Sequence, residues 1–121
     1  MRLRIWATAL CVVSGPAVAE MTGNEFLSLH ERNPLQAMYY IEGVLGGMQV
    51  IVEAHKLNSP NSLQPTPGIG CAPETATLGQ YRDVALKELR EHPERRHLKM
   101  QYIMYFAYNA AWPCPWTKYQ K

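Results

Sequence analysis

Residues 71–114 read CAPETATLGQYRDVALKELREHPERRHLKMQYIMYFAYNAAWPC, and this stretch decides the fold. Two helical patterns lie inside it, with a cysteine at each end. Thr77-Leu78-Gly79-Gln80 is a capping pattern, in which a threonine oxygen and a glutamine amide satisfy each other's orphan backbone N–H groups. It predicts a helix over 78–91, with Leu78, Tyr81, Ala85 and Leu89 on one face and most of the charges off it. His92-Pro93 stops that helix, and Pro93 can open the next turn, where its missing N–H costs nothing. A last helix is predicted over 94–111, with Leu98, Tyr102, Tyr105, Phe106 and Ala110 on its apolar side and its rings forming a core. The two prolines of Trp112-Pro113-Cys114-Pro115-Trp116 end it, and the flanking tryptophans are expected to pack over a cysteine bridge.

Upstream, the chain opens with a leader. Arg2 and Arg4 precede a mostly apolar run from Ile5 to Val13, and Ala17-Val18-Ala19 is an A-x-A cleavage site before Glu20. The run is far short of the roughly 20 residues that span a bilayer. Residues 1–19 therefore read as a secretory signal peptide, and 20–121 as one domain. Removing the leader takes away two arginines and no acids. The whole chain's 12 Lys+Arg and 10 Asp+Glu become 10 and 10, a net charge of zero. No basic field remains to suggest nucleic acid.

The same cut removes Cys11 and leaves Cys71 and Cys114. Two cysteines in an oxidising compartment read as a disulfide closing the open end of the helical hairpin, with two free thiols as the alternative. Zinc is weaker, because no C-x-x-C or H-x-x-x-H spacing is present. A closed loop of this length constrains the unfolded chain by about 4 kcal/mol.

Between leader and hairpin, Thr22-Gly23-Asn24-Glu25 is a second capping box and predicts a helix over 23–32, ended by Asn33-Pro34. Leu35 to Leu57 is the longest apolar segment, with Met38, Ile41, Leu45, Met48 and Val52 at helical spacing. Gln36, Glu42, Gln49 and Glu53 argue against a membrane span, so it reads as a buried helix of a soluble domain. Gly43, Gly46 and Gly47 each cost about 1 kcal/mol relative to alanine. They are read as the close approach of another helix of the same chain, with Gly43-x-x-x-Gly47 dimerisation as the alternative. Residues 58–70, NSPNSLQPTPGIG, form a loop that is either functional or a plain connector. No strand-length alternation occurs. The fold class is all-α, a small bundle of about four helices with one disulfide.

Catalytic chemistry is sparse. Asp83 is the only aspartate, Ser28, Ser59 and Ser62 lack a nucleophile-elbow setting, and His30 and His55 read as surface or packing residues. His92, Glu94 and His97 are the only concentration of acid–base groups. Arg95 and Arg96 beside them would repel a metal, and a structural reading pairs His92 with the carbonyl end of one helix and Glu94 with the N-terminus of the next. No cofactor or metal site is expected. By elimination the chain reads as a binding protein. Asn58, Asn61 and Gln64 of the loop, with His92, Glu94, Arg95 and Arg96 of the corner, are the candidate contact residues on exposure and chemistry.

Four ordered motifs carry a family resemblance: Cys71-Ala72-Pro73, the T-x-x-Q-x-x-D-V of Thr77 to Val84, the H-P-E-x-R-H of His92 to His97, and Pro113-Cys114-Pro115. A small secreted helical chain with these motifs resembles the Rap/Tai group of immunity proteins. The resemblance implies a periplasmic protein that protects a bacterium from peptidoglycan amidases delivered by type VI secretion. It also implies a mostly helical fold, frequent homodimers, and a protruding segment that enters the amidase cleft. Some members carry a further cysteine in the second helix, where this chain has Met38-Tyr39-Tyr40, so a second bridge is absent here. A different class also fits the size and single bridge: a periplasmic acid-stress chaperone of the HdeA type, with four histidines to sense pH.

Overall fold

A computed structural model of the chain describes residues 20–58 and 69–115. The leader, Asn61, Gln64 and Trp116 lie outside the described residues. Four α-helices follow in order: α1 Gly23–Arg32, α2 Pro34–Asn58, α3 Leu78–Glu91 and α4 Met100–Ala111, with a 3-10 turn at Pro93–Arg95 between the last two. Among the described residues there is no strand, only an isolated bridge between Thr22 and Lys99. The expected all-α, four-helix architecture is what the chain adopts.

Local sequence sets the helix starts. Thr22 accepts from the Glu25 N–H at 3.3 Å, and the Glu25 carboxylate accepts from the Thr22 N–H at 2.7 Å. The Thr22 N–H, and after it the Thr22 hydroxyl donating to the same carboxylate oxygen at 2.9 Å, hold the Glu25 carboxyl below its ordinary range. Thr77 and Gln80 reproduce the arrangement at α3. At the α1–α2 junction, the Asn33 side chain accepts from the Gln36 N–H at 3.1 Å, so the residue that ends one helix caps the next.

The core lies where α3 meets α4, with α1 and the first turns of α2 laid across them. Phe26, Ile41, Leu89, Met100, Met104 and Tyr108 are its largest fully buried side chains. Tyr81 meets the Tyr108 ring edge-on at 5.0 Å, and Trp112 closes the cluster. α1 reaches its seat through a bare backbone. A Cβ on Gly23 would stand 2.6 Å from Leu89 Cδ2 and 2.7 Å from Ile103 Cδ1.

Two expectations fail here. The inward face of α4 is Met100, Ile103, Met104, Ala107 and Tyr108, whereas Tyr102, Tyr105 and Phe106 are exposed. The helix begins at Met100, not near residue 94, and both of its faces are apolar, so periodicity alone cannot choose between them. α2 is the second correction. Only Ala37 and Ile41 of its 25 residues are buried, and a Cβ on Gly43, Gly46 or Gly47 would meet nothing within 4 Å. Among the described residues, no other helix crosses at those glycines.

The bridge between Cys71 and Cys114 closes the α3–α4 hairpin, with the Cα atoms 4.9 Å apart. It has company. The Cys71 N–H donates to the Trp112 carbonyl at 2.7 Å, and the Gly70 N–H donates to Asn109 Oδ1 at 3.2 Å. Gly70 has φ +69°, and a Cβ there would lie 2.5 Å from the Tyr108 carbonyl oxygen. Glycine is required on both counts.

Candidate functional site

The corner between α3 and α4 gathers the acid–base residues expected of it. The Glu88 side chain, only 16% exposed, receives Arg95 Nη1 at 3.0 Å and has His92 Nε2 at 3.8 Å. His92 Nδ1 lies 3.1 Å from Glu94 Oε1, and His97 Nδ1 lies 3.0 Å from the Glu94 carbonyl oxygen. The Glu94 backbone N–H, then His92 and Arg95, hold the Glu94 carboxyl below its ordinary range. Glu88 is the residue sequence reasoning missed. It lies four residues before His92, a spacing that places both on one helix face and was available in the chain.

At the carbonyl end of α3 the His92 N–H donates to the Glu88 carbonyl at 3.0 Å, and Arg96 adds a second donor, its Nε, to the Leu89 carbonyl at 2.5 Å. Glu94 sits in the 3-10 turn, five residues ahead of the capping position of α4 at Lys99. His92, Glu94 and Arg95 therefore form one solvent-facing ion-pair network around Glu88, and Arg96 is turned inward. No group of three or more His, Cys, Asp or Glu arranged to hold a metal occurs among the described residues.

Asn58 is exposed and ends α2, directly ahead of residues 59–68. The structure does not bring it into the corner network.

A second surface was not singled out from the sequence. Leu35, Tyr39, Val50 and Leu57 of α2 are 60–81% exposed. Alongside, a groove of about 540 Å³ opens between α2 and the start of α4, with Gly43, Val44, Gly47, Met48 and Ile51 on one side and Gln101 on the other. The Tyr40 hydroxyl and Gln101 Oε1 are buried beside it without a hydrogen-bond partner. Burial pushes the Tyr40 hydroxyl pKa up. No described helix is long and apolar enough to cross a membrane.

Fold and surface together define a small disulfide-stapled helical domain with an ion-paired corner and an unusually bare long helix. A family model of Rap1a immunity proteins matches residues 22–114, from the cap of α1 to the second cysteine of the bridge. The chain belongs to that family, and its type is a type VI effector immunity protein. No curated protein and no solved structure matches it.

Proposed function

We propose that the mature chain is a periplasmic protein that binds a peptidoglycan amidase effector and occludes its active site, without catalysis of its own. The family match over residues 22–114 carries this reading. Immunity requires a tight complex in the compartment where the effector acts, and the leader would deliver the chain there. The contact surface would combine the tip of α2 and the following loop (Asn58, Asn61, Gln64) with the corner residues His92, Glu94 and Arg95. Arg96 would contribute only its terminal guanidinium nitrogens, because its Nε donates to the Leu89 carbonyl. The protein would act as a homodimer, as the family resemblance implies.

The test is co-purification of residues 20–121 with a panel of peptidoglycan amidases, followed by murein hydrolysis. A stoichiometric complex with loss of hydrolysis is expected. Failure to bind any amidase, together with protection of unfolded clients at acid pH, would replace this reading with the chaperone.

A further inference from the structure

We propose that the groove between α2 and the start of α4 receives a tyrosine side chain of a partner protein, whose hydroxyl bonds to Tyr40 and Gln101. The inference rests on the reading above for the partner, which is then the effector. It rests on the groove's own chemistry for the residue that the partner presents.

Two polar atoms are stranded at this groove. The Tyr40 hydroxyl and Gln101 Oε1 are closed to water and have no hydrogen-bond partner among the described residues. Buried polar groups are nearly always paired, and each exception calls for a cause. The Tyr40 ring is held in place against Phe26, their centroids 5.9 Å apart. One incoming hydroxyl suits both atoms. It donates to the Gln101 oxygen, which can only accept, and it accepts from the Tyr40 hydroxyl, which can donate. Gln101 is half-buried at the edge of the groove. A turn of its side chain on binding, a common change at interfaces, brings its oxygen to the newcomer.

The rest of the lining selects a ring to carry that hydroxyl. No charged side chain lines the groove, and Glu42 and Glu53 lie outside it. An ammonium, guanidinium or carboxylate would therefore lose its water uncompensated there. Gly43 and Gly47 form part of one wall, where a Cβ would meet open space. Such bare backbone lets a flat ring lie close to the helix. Met48 lines the same wall, and a thioether sulfur makes favourable contacts with aromatic rings. At about 540 Å³ the groove falls within the roughly 300–1,000 Å³ typical of ligand sites. Tyrosine unites ring and hydroxyl, and it is enriched among the anchors of protein interfaces. The surface also runs on. Ile51, 67% exposed, is followed by Ala54 and Asn58 on the same side of α2. Asn58 belongs to the contact surface proposed above, and this continuity favours a side chain carried by a protein over a free phenol.

The experiment titrates N-acetyl-tyrosinamide and N-acetyl-phenylalaninamide into residues 20–121 with the bridge intact, followed by backbone-amide NMR. The two probes differ by the hydroxyl alone. Saturable, low-millimolar binding of the tyrosine probe is expected, with shifts at Gly43, Gly47 and Gln101. The phenylalanine probe should bind at least about threefold more weakly, the effect of one net hydrogen bond. Gly47→Leu fills the groove and should abolish binding. Its new side chain enters open space and favours the helix, so the thermal midpoint stays unchanged or rises. Gln101→Leu should bring the two probes to within about twofold of each other. No saturation by about 20 mM, or equal affinity for both probes in the wild type, would overturn the proposal. So would shifts confined to another surface, or binding that survives Gly47→Leu. Tighter binding of p-cresol than of the tyrosine probe would mark a site for free phenols and overturn it too. An amidase complex that forms equally well with Gly47→Leu would overturn the anchor and leave the proposed function standing. A chain that binds the tyrosine probe but no amidase would refute the proposed function and leave this inference standing.

Discussion

Gly70→Ala is the most exacting test of how the hairpin is closed. The substitution adds one methyl group. At φ +69° an L side chain costs about 1–2 kcal/mol by itself. The methyl would also stand 2.5 Å from the Tyr108 carbonyl oxygen, 2.9 Å from its carbon and 3.0 Å from the Trp112 oxygen, all of them backbone atoms. None can swing aside as a side chain would, so the segment must lift away from α4. Lifting it weakens the bonds from Gly70 N–H to Asn109 and from Cys71 N–H to Trp112, each worth about 1 kcal/mol. The expected loss is about 2–4 kcal/mol. With a urea slope of about 1–3 kcal/mol/M for a small domain, the unfolding midpoint should fall by about 1–2 M. Gly79→Ala is the control. Its Cβ would lie 3.7 Å from Thr77 Oγ1, an ordinary contact, and alanine should raise stability by about 0.4–1 kcal/mol. Equal midpoints for Gly70→Ala and wild type would refute the reasoning, because the backbone of 69–71 would then not be seated on α4.

Three further outcomes are expected. Replacing Cys71 and Cys114 together by alanine should cost about 4 kcal/mol in urea unfolding, with circular dichroism still helical wherever the chain remains folded. Tyr108→Phe should leave the thermal midpoint unchanged or raise it by up to about 1 kcal/mol equivalent, since the buried Tyr108 hydroxyl has no hydrogen-bond partner to lose. Glu25 has a folded-state pKa below its ordinary 4.5, so its contribution is complete above that value and is lost as pH falls through the folded pKa. Glu25→Gln should therefore destabilise the protein at pH 7, and the difference from wild type should shrink as pH falls through the folded-state pKa, as followed by thermal melts from neutral to acid pH.

Much of this was legible from local chemistry. Thr22/Glu25 and Thr77/Gln80 fixed two helix starts to the residue, because a capping box is a short-range device that needs no tertiary partner. The cysteine pair followed from compartment and parity. What failed was decided by packing. The α4 sequence offers apolar residues on both sides, and α3 takes the face of Met, Ile and Ala, leaving Tyr102 and Phe106 outside. The glycines of α2 signalled close approach by another helix, but a Cβ at Gly43, Gly46 or Gly47 meets nothing within 4 Å, and a sequence does not say where the neighbouring helices end up. At the corner, attention to His92, Glu94 and His97 passed over Glu88, the least exposed carboxylate of the network.

The bridge between Thr22 and Lys99 has a bearing on how the chain matures. Gly23 N–H donates to the Leu98 carbonyl, Asn24 N–H to Arg96, and Met100 N–H to Met21, while Lys99 reaches Glu20 across 79 positions of sequence. Such non-local pairings close late, since the loop entropy must be overcome before they reward it. The α3–α4 hairpin, by contrast, is built from neighbours. Because synthesis proceeds from the N-terminus, α1 can pack on α2 at once but must wait for the start of α4 to complete its seat. Until then Phe26 has only α2 to cover it, with the Tyr40 ring 5.9 Å away, and the rest of its core surroundings are still to come.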